Sequence, residues 1–169
     1  MKRLCAACLG LVLLLLLFSG CSSSSKGTDK NIEGSVEDIL QRIYDGLDES
    51  IQLPFLMNVP LSDDMGVAND GIRIDYYIGV SGVQFTEGVA SEAAIGGAYS
   101  VCLLRMEKNA DIEKAKKDIE DNVDPNKWIC YLADTVIVDN VGDLLILIMT
   151  NDETVPGLGQ AIHDSFLRL

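Results

Sequence analysis

The feature that most constrains the fold of this chain is an uninterrupted apolar run, LLILIM, at residues 144–149. A strand with one solvated face alternates apolar and polar side chains, whereas a strand covered on both faces is apolar throughout. The run therefore predicts a central strand that is buried on both sides. The segment TVIVDN predicts its antiparallel partner, joined through residues 139–143, where Gly142 can supply a positive φ.

The stretch QFTEGVASEAAIGGAYSVCLLRME predicts a second β-hairpin. Its strands would cover residues 84–92 and 98–107, with Gly96 and Gly97 in the turn. Before this hairpin, residues 72–80 carry apolar side chains at alternate positions, which favours a strand. The tripeptide DYY within this segment also suits a short helix, so strand and helix both stay open there.

An amphipathic helix is predicted over residues 36–50. Ser35 precedes it as an N-cap, and apolar residues recur at helical spacing along one face. Pro54 and Pro60 follow and predict a break in regular structure.

Two further helices are predicted nearer the C-terminus. One covers residues 112–122, begins at Asn109 or Asp111 as the cap, and is stopped by Pro125. The other covers roughly residues 157–167. The expected fold class is therefore α+β, with an antiparallel sheet of about four strands in two hairpins and helices packed against it.

The first twenty residues predict a lipoprotein signal peptide. Two basic residues precede an apolar segment centred on residues 9–18, which is shorter than the roughly 20 residues of a spanning helix. Ser19 and Gly20 then lead directly into Cys21. This junction resembles the lipobox of bacterial lipoproteins, in which the cysteine thiol receives a diacylglycerol and the preceding peptide is removed. An uncleaved membrane anchor or an ordinary secretory signal is the alternative.

The lipobox resemblance implies a location. Cys21 would become the lipidated first residue, holding the chain at the cell membrane, on its extracytoplasmic side, through acyl chains such as palmitate. Residues 21–33 would form a serine-rich tether, and residues 34–169 a single α+β domain of unknown function.

The mature chain is strongly acidic. Removing residues 1–20 takes two of the 13 basic residues and none of the 26 acidic residues, which leaves a net charge of −15. Because phosphate binding relies on Lys and Arg, this balance argues against nucleic acid as a partner.

Two cysteines remain for the folded part, Cys102 and Cys130. Two cysteines in an exported chain could pair, but a bridge needs Cα atoms within about 7 Å and nothing in the sequence forces these two together. Each lies in an apolar run, and we therefore expect two unpaired and largely buried thiols.

A longer resemblance covers about residues 85–150. The segments SVCLLR, ADIEKAKKDIEDNVDPNKW and GDLLILIM resemble a family of small lipoproteins that is common in anaerobic Gram-positive bacteria and is known as a domain of unknown function. That family has no established activity. The resemblance therefore implies the location and the single-domain organisation, and it implies no catalytic residues.

The candidates for chemistry are few. His163 is the only histidine, and its neighbours Asp164 and Ser165 point about 100° apart on a helix, so these three cannot align as a catalytic triad. We expect His163 at the surface or at the boundary of the core. One histidine and no paired thiols leave no strong zinc set, and we predict no metal and no cofactor.

Other polar features have simple interpretations. The acidic residues at 63–64, 70 and 152–153 lack the alternating spacing of an EF-hand and suit solvated loops. A carboxylate pair for glycoside hydrolysis stays open in principle. Trp128 is expected to plug the edge of the core, with an exposed binding anchor as the other interpretation.

Together these patterns favour a non-enzymatic, membrane-anchored domain that binds an envelope protein or a small ligand. The alternative is a cell-envelope hydrolase with an unrecognised carboxylate or histidine site. An enzyme would place convergent carboxylates or His163 in a deep pocket, whereas a binding module would expose a shallow apolar patch.

Overall fold

A computed structural model describes residues 31–62 and 73–169. The predicted signal peptide, the lipidation site Cys21, most of the tether and the acidic residues at 63–64 and 70 lie outside the described residues.

The α+β class is confirmed, with a sheet of five strands rather than about four. Every neighbouring pair of strands is antiparallel, in the order β1-β2-β3-β5-β4. In chain order the elements are α1 (Val36–Asp45), β1 (Leu56–Leu61), α2 (Ile74–Ile78), β2 (Phe85–Ala93), β3 (Tyr99–Met106), α3 (Ile112–Asn122), β4 (Thr135–Val141), β5 (Leu144–Thr150) and α4 (Leu158–Leu167).

Strand β5 is buried along its whole length, as its apolar run predicts. Because side chains alternate across a sheet, Leu144 and Ile146 pack with α1 and α4 on one face. Leu145 and Leu147 pack on the other face with α2, α3 and the segment that follows α3. The sheet thus separates two apolar layers, each covered by helices.

Both predicted hairpins form, and Gly142 adopts the expected positive φ, 58°. Of the two candidate caps for α3, Asp111 is the one used, since its side chain accepts a hydrogen bond from Lys114 N at 3.0 Å. Helix α1 ends at Asp45 rather than at residue 50. An Asx turn replaces the last predicted turn, because Asp48 Oδ1 accepts from Ser50 N at 2.9 Å.

Strand β1 was not expected from the sequence, and the segment at 72–80, for which strand and helix were both open, contains a helix. Strand β1 contains Pro60 and was not predicted, because proline is normally excluded from a ladder. β1 pairs with β2 alone, so it is an edge strand, where a missing N–H is tolerated. Within the segment at 72–80, residues Ile74–Ile78 form the short helix α2, and Gly79 ends it at φ 81°.

The two ends of the sheet have different neighbours. Arg105, near the end of β3, donates to the carbonyl oxygens of Ile32 and Gly34 at 3.2 and 2.7 Å, so the described chain enters beside this end. The opposite end holds the tip of the β2–β3 hairpin and the starts of β1 and β4. No helix within residues 31–62 and 73–169 has both the length and the apolarity needed to span a bilayer.

Candidate functional site

The chain after α3 forms a closed loop, residues 125–133, at the hairpin-tip end of the sheet. Its two ends meet where Ala133 N donates to Pro125 O at 2.9 Å. Asn151, just after β5, donates through Nδ2 to Leu132 O at 2.9 Å and ties the loop to the sheet. The backbone of this loop is therefore fixed at both ends and at one further point.

Lys127 turns inward from this loop and forms a buried ion pair. Its Nζ lies 2.8 Å from Glu92 Oε1 in β2 and 3.2 Å from Ser100 Oγ in β3. The two side chains of the ion pair are only 3% and 9% exposed. Ring centroids also lie 4.8, 5.5 and 5.0 Å from Nζ, in Tyr76, Tyr77 and Trp128. The ammonium is thus paired with a carboxylate and surrounded by aromatic faces, which attract cations.

The 3.2 Å approach of Ser100 Oγ to Lys127 Nζ invites comparison with serine–lysine catalytic pairs. Ser100 is fully buried, and its hydroxyl donates to Glu92 Oε1 at 2.6 Å. A hydroxyl in that position satisfies the carboxylate and does not face solvent. Glu92 and Ser100 are directly opposed on β2 and β3. Lys127 contacts both side chains and therefore joins the loop to the hairpin.

Cys102 lies beside this cluster on β3. Its thiol is 3.7 Å from Ser100 Oγ and 3.6 Å from the carbonyl oxygen of Tyr77. Complete burial raises the pKa of the Cys102 thiol to about 12, so it stays protonated and unreactive at neutral pH. The predicted burial is confirmed for Cys102 and wrong for Cys130, which is exposed on loop 125–133; both are free thiols.

Large apolar side chains are exposed at the same end of the sheet, and we call this surface the apolar end. Its members are Phe55, Ile95, Ile129, Tyr131 and Leu132. Ile129 is fully exposed, and Phe55 and Ile95 are 77% and 79% exposed. Ala94 N donates to Phe55 O at 2.8 Å, which brings the start of β1 beside the hairpin tip. Apolar surface of this kind, contributed by three separate segments, marks interaction sites in soluble domains.

A shallow depression of about 400 Å³ opens into the apolar end. The hairpin glycines Gly96 and Gly97 form one side, and Trp128, Ile129 and Tyr131 form the other. A Cβ at Gly96 would lie 3.0 Å from the Tyr131 hydroxyl, so a glycine keeps this approach open. Trp128 packs against the core and also lines the depression, which confirms the prediction that it plugs the core edge.

A second depression, of about 320 Å³, lies toward the opposite end of the sheet, between the start of β2 and α3. Ser81, Asp111, Lys114 and Asp118 contribute much of its lining. The large exposed apolar side chains lie elsewhere, so this depression offers a weaker basis for recognition than the apolar end.

His163 lies at the boundary of the core, as predicted, but it has a partner that the sequence did not indicate. Its Nε2 is 2.8 Å from Asp139 Oδ2 on β4, and Lys116 Nζ on α3 is 3.4 Å from Asp139 Oδ1. Burial would raise the pKa of Asp139, but the hydrogen bonds from His163 and from Asn140 N, with the charge of Lys116, lower it overall.

Among the described residues, the polar contacts of the His163–Asp139 pair are with Lys116, Asn140 and Gln160, none of which carries a hydroxyl or a thiol. The other ring nitrogen of His163, Nδ1, lies 3.4 Å from Gln160 Nε2. The hydroxyl of Ser165 points elsewhere and donates to the carbonyl oxygen of Ile43 at 2.7 Å. Within residues 31–62 and 73–169, no three His, Cys, Asp or Glu side chains are grouped so that they could hold a metal ion.

Comparisons with protein-family models, with curated proteins and with solved structures found no match for this chain. The resemblance to small lipoproteins of Gram-positive bacteria therefore stays a prediction.

Sequence reasoning missed the apolar end because its residues come from three distant segments. Within the segment WICYL at residues 128–132, Trp128 turns inward as expected, whereas Ile129, Tyr131 and Leu132 face outward. One signal was available: WICYL follows Asp124-Pro125 and lacks either a helical or a strand period. An aperiodic apolar segment between two elements is a candidate for an exposed loop with a function.

Proposed function

We propose that this chain is a membrane-anchored extracytoplasmic lipoprotein, and that its folded part is a binding domain that engages an envelope partner through the apolar end. The observation that carries the binding proposal is the exposure of Ile129 and Tyr131 in the lining of the depression, with exposed Ile95 next to its glycine side at the hairpin tip. The lipobox-like junction at Cys21 supports the anchor.

The position of the apolar end suits a surface-displayed binding domain. The described chain enters beside Arg105, at one end of β3, and the apolar end lies at the other. At about 3.3 Å per residue, the eight residues of β3 separate the two ends by roughly 25 Å. A tether from the membrane to the entry point therefore leaves the apolar end free to project away from the bilayer.

The buried ion pair supports the same proposal. Lys127 on the loop and Glu92 on the hairpin hold the two parts of the apolar end in a fixed relation. A preorganised surface loses less conformational entropy when a partner binds than a mobile one does.

Site-specific photo-crosslinking in cells tests the binding proposal. A photoreactive residue replaces Ile129 in the full-length chain, and a matched variant carries it at Lys117, whose side chain is 72% exposed on α3. We expect an adduct of discrete mass from position 129 and none from position 117. Adding Ile95→Asp to the first variant should abolish the adduct. The same yield from both positions, or none from either, would contradict the proposal.

The alternative function, a cell-envelope hydrolase, draws on the 2.8 Å contact between His163 Nε2 and Asp139 Oδ2. A panel of ester, peptide, phosphate and glycan substrates separates the two functions. The binding proposal expects no turnover by the parent or by His163→Ala. Turnover by the parent that is lost in a folded His163→Ala variant would replace the binding proposal by the hydrolase.

A further inference from the structure

We propose that the occupant of the apolar end is a segment of a partner protein that presents an apolar side chain flanked by Lys or Arg. This inference rests on the proposed function and deepens it by naming the chemistry of the partner. It comes from the distribution of charge around the apolar end.

Exposed positive charge is scarce in the chain segments that build this end. Residues 43–72, 74–104 and 128–167 contain no Lys and no Arg. Lys127, at the base of the depression, is 3% exposed and is already paired with Glu92. Arg73, just before α2, is exposed but pairs with Asp75 at 2.6 Å. The described segments that build the apolar end therefore offer no exposed, unpaired cation to an acidic partner.

Negative charge borders the apolar end beside Leu132. Asp134 follows it by two residues and is exposed, and its Oδ1 accepts from Asp152 N at 2.8 Å. Glu153 is the next residue and is also exposed. The three carboxylates thus lie on two adjacent chain segments, next to the loop that carries Ile129 and Tyr131.

Charge complementarity selects among the candidate occupants. A second copy of the chain would bring the same carboxylates near each other, and like charges across an interface oppose association. An anionic lipid surface would meet the same repulsion. A partner segment with flanking Lys or Arg gains attraction at the rim, while its apolar side chain fills the depression of about 400 Å³.

Peptide probes test the inference on the full-length protein in phosphatidylcholine vesicles. All three probes have equal length: a Trp-Leu-Trp centre with three lysines on each side, the same centre with three glutamates on each side, and a Gly-Ser-Gly centre with lysine flanks. The readout is the alkylation rate of Cys130, which is exposed and lines the depression. We expect only the first probe to slow alkylation, and we expect its effect to fade as salt is raised.

A pair of rim variants gives the matched control. In Asp134→Asn/Glu153→Gln the first probe should bind about three- to tenfold more weakly, since each exposed ion pair contributes little by itself. In Glu107→Gln/Glu113→Gln, which removes two exposed carboxylates at the end of β3 and the start of α3, away from the loop, its affinity should be unchanged.

The outcomes separate this inference from the proposed function. Equal protection by lysine-flanked and glutamate-flanked peptides, or no protection by either, overturns the basic partner. Protection of Cys130 by the vesicles alone, or a position-129 crosslink that joins two copies of the chain, overturns it in favour of lipid or self-association. If the lysine-flanked peptide gives no selective protection but position 129 still forms an adduct with another protein in cells, the basic partner is wrong and the proposed binding function is still supported.

Discussion

At the scale of single residues, burial decides which polar side chains matter. Nothing in the local sequence marks Lys127 and Glu92 as partners, yet they form an ion pair that is almost fully buried. Tyr99 and Tyr44 behave similarly on the other face, where their hydroxyls lie 2.9 Å apart. Burial raises the pKa of Tyr44 to about 12, so this pair stays neutral.

Removing one partner of the Lys127–Glu92 pair should be costly. Lys127→Met leaves a buried carboxylate without its counter-ion, and we expect a loss of about 3–5 kcal/mol in the free energy of unfolding, measured by urea denaturation. The double variant Lys127→Met/Glu92→Leu should recover most of that loss. Lys117→Met, which breaks the exposed pair with Asp121, should change the free energy of unfolding far less, because solvent screens that pair. If Lys127→Met and Lys117→Met lost the same free energy of unfolding, the buried pair would contribute no more stability than the exposed one.

The two thiols of the folded part should differ in reactivity. Cys130 is exposed, whereas Cys102 is enclosed and has a pKa of about 12. A maleimide should label Cys130 rapidly in the native protein, and Cys102 only after denaturation, without reductant in either case. Mass spectrometry of the digested protein assigns the label. A requirement for reductant would reveal a disulfide and contradict the free thiols.

At the scale of elements, close contacts between neighbours set the positions of the helices. Gly79 ends α2 with φ 81°, and a Cβ there would overlap the backbone N of Val123 and lie 2.6 Å from the carbonyl carbon of Asn122. The end of α2 is therefore packed directly onto the end of α3. This contact positions Tyr76 and Tyr77 beside the loop that carries Lys127.

Gly79→Ala should destabilise the protein by about 2 kcal/mol or more, because a left-handed backbone and a steric overlap both oppose the added methyl group. Gly82→Ala is the matched control. Gly82 has a similar φ of 79°, but a Cβ there meets nothing within 4 Å. We expect about 1 kcal/mol for the control. Thermal unfolding of both variants measures the difference, and identical melting temperatures would exclude the overlap.

The contact between α4 and β4 predicts a dependence on acid. The pKa of Asp139 is lowered in the folded state, so its bond to His163 contributes stability above the unfolded pKa of about 3.9. That contribution is lost as pH falls through the lower folded pKa. Asp139→Asn should therefore flatten the fall in stability between about pH 5 and 2, by about 1 kcal/mol or less for this partly exposed pair. Unfolding in urea at each pH checks this, and parallel curves for parent and variant would refute it.

At the scale of the whole molecule, the start of the described chain and the apolar end lie at opposite ends of the sheet. Arg105 contributes to this arrangement, because it bonds the incoming backbone at Gly34 at 2.7 Å and also pairs with Asp143 at 3.0 Å. The entry point of the chain is thus fixed to the start of β5.

The anchor itself gives the prediction at this scale. Mass spectrometry of the N-terminal peptide, extracted from membranes, should show Cys21 with acyl chains and without residues 1–20. Cys21→Ala should leave the precursor unprocessed, since the thiol is the group that receives the lipid. A mature chain that starts at another residue, or an unmodified Cys21, would disprove the lipoprotein assignment.

The sequence by itself determined the local elements that are marked by a periodic apolar pattern or by a residue with a particular φ preference. The run at 144–149 predicted a doubly covered strand, and Gly142 predicted its hairpin, because burial pattern and φ preference are properties of neighbouring residues. Strand β1 escaped prediction because proline at position 60 is tolerated only on an edge, and edge position depends on the whole sheet.

Only the tertiary structure decided the candidate site. Glu92, Ser100 and Lys127 meet through a cross-strand register and a loop closure that join residues up to 35 positions apart. The outward direction of Ile129 and Tyr131 follows from the same closure, between Pro125 and Ala133. The neighbours of an apolar residue in the sequence do not show whether it is buried or exposed. Here long-range packing decides which apolar side chains of the loop are exposed.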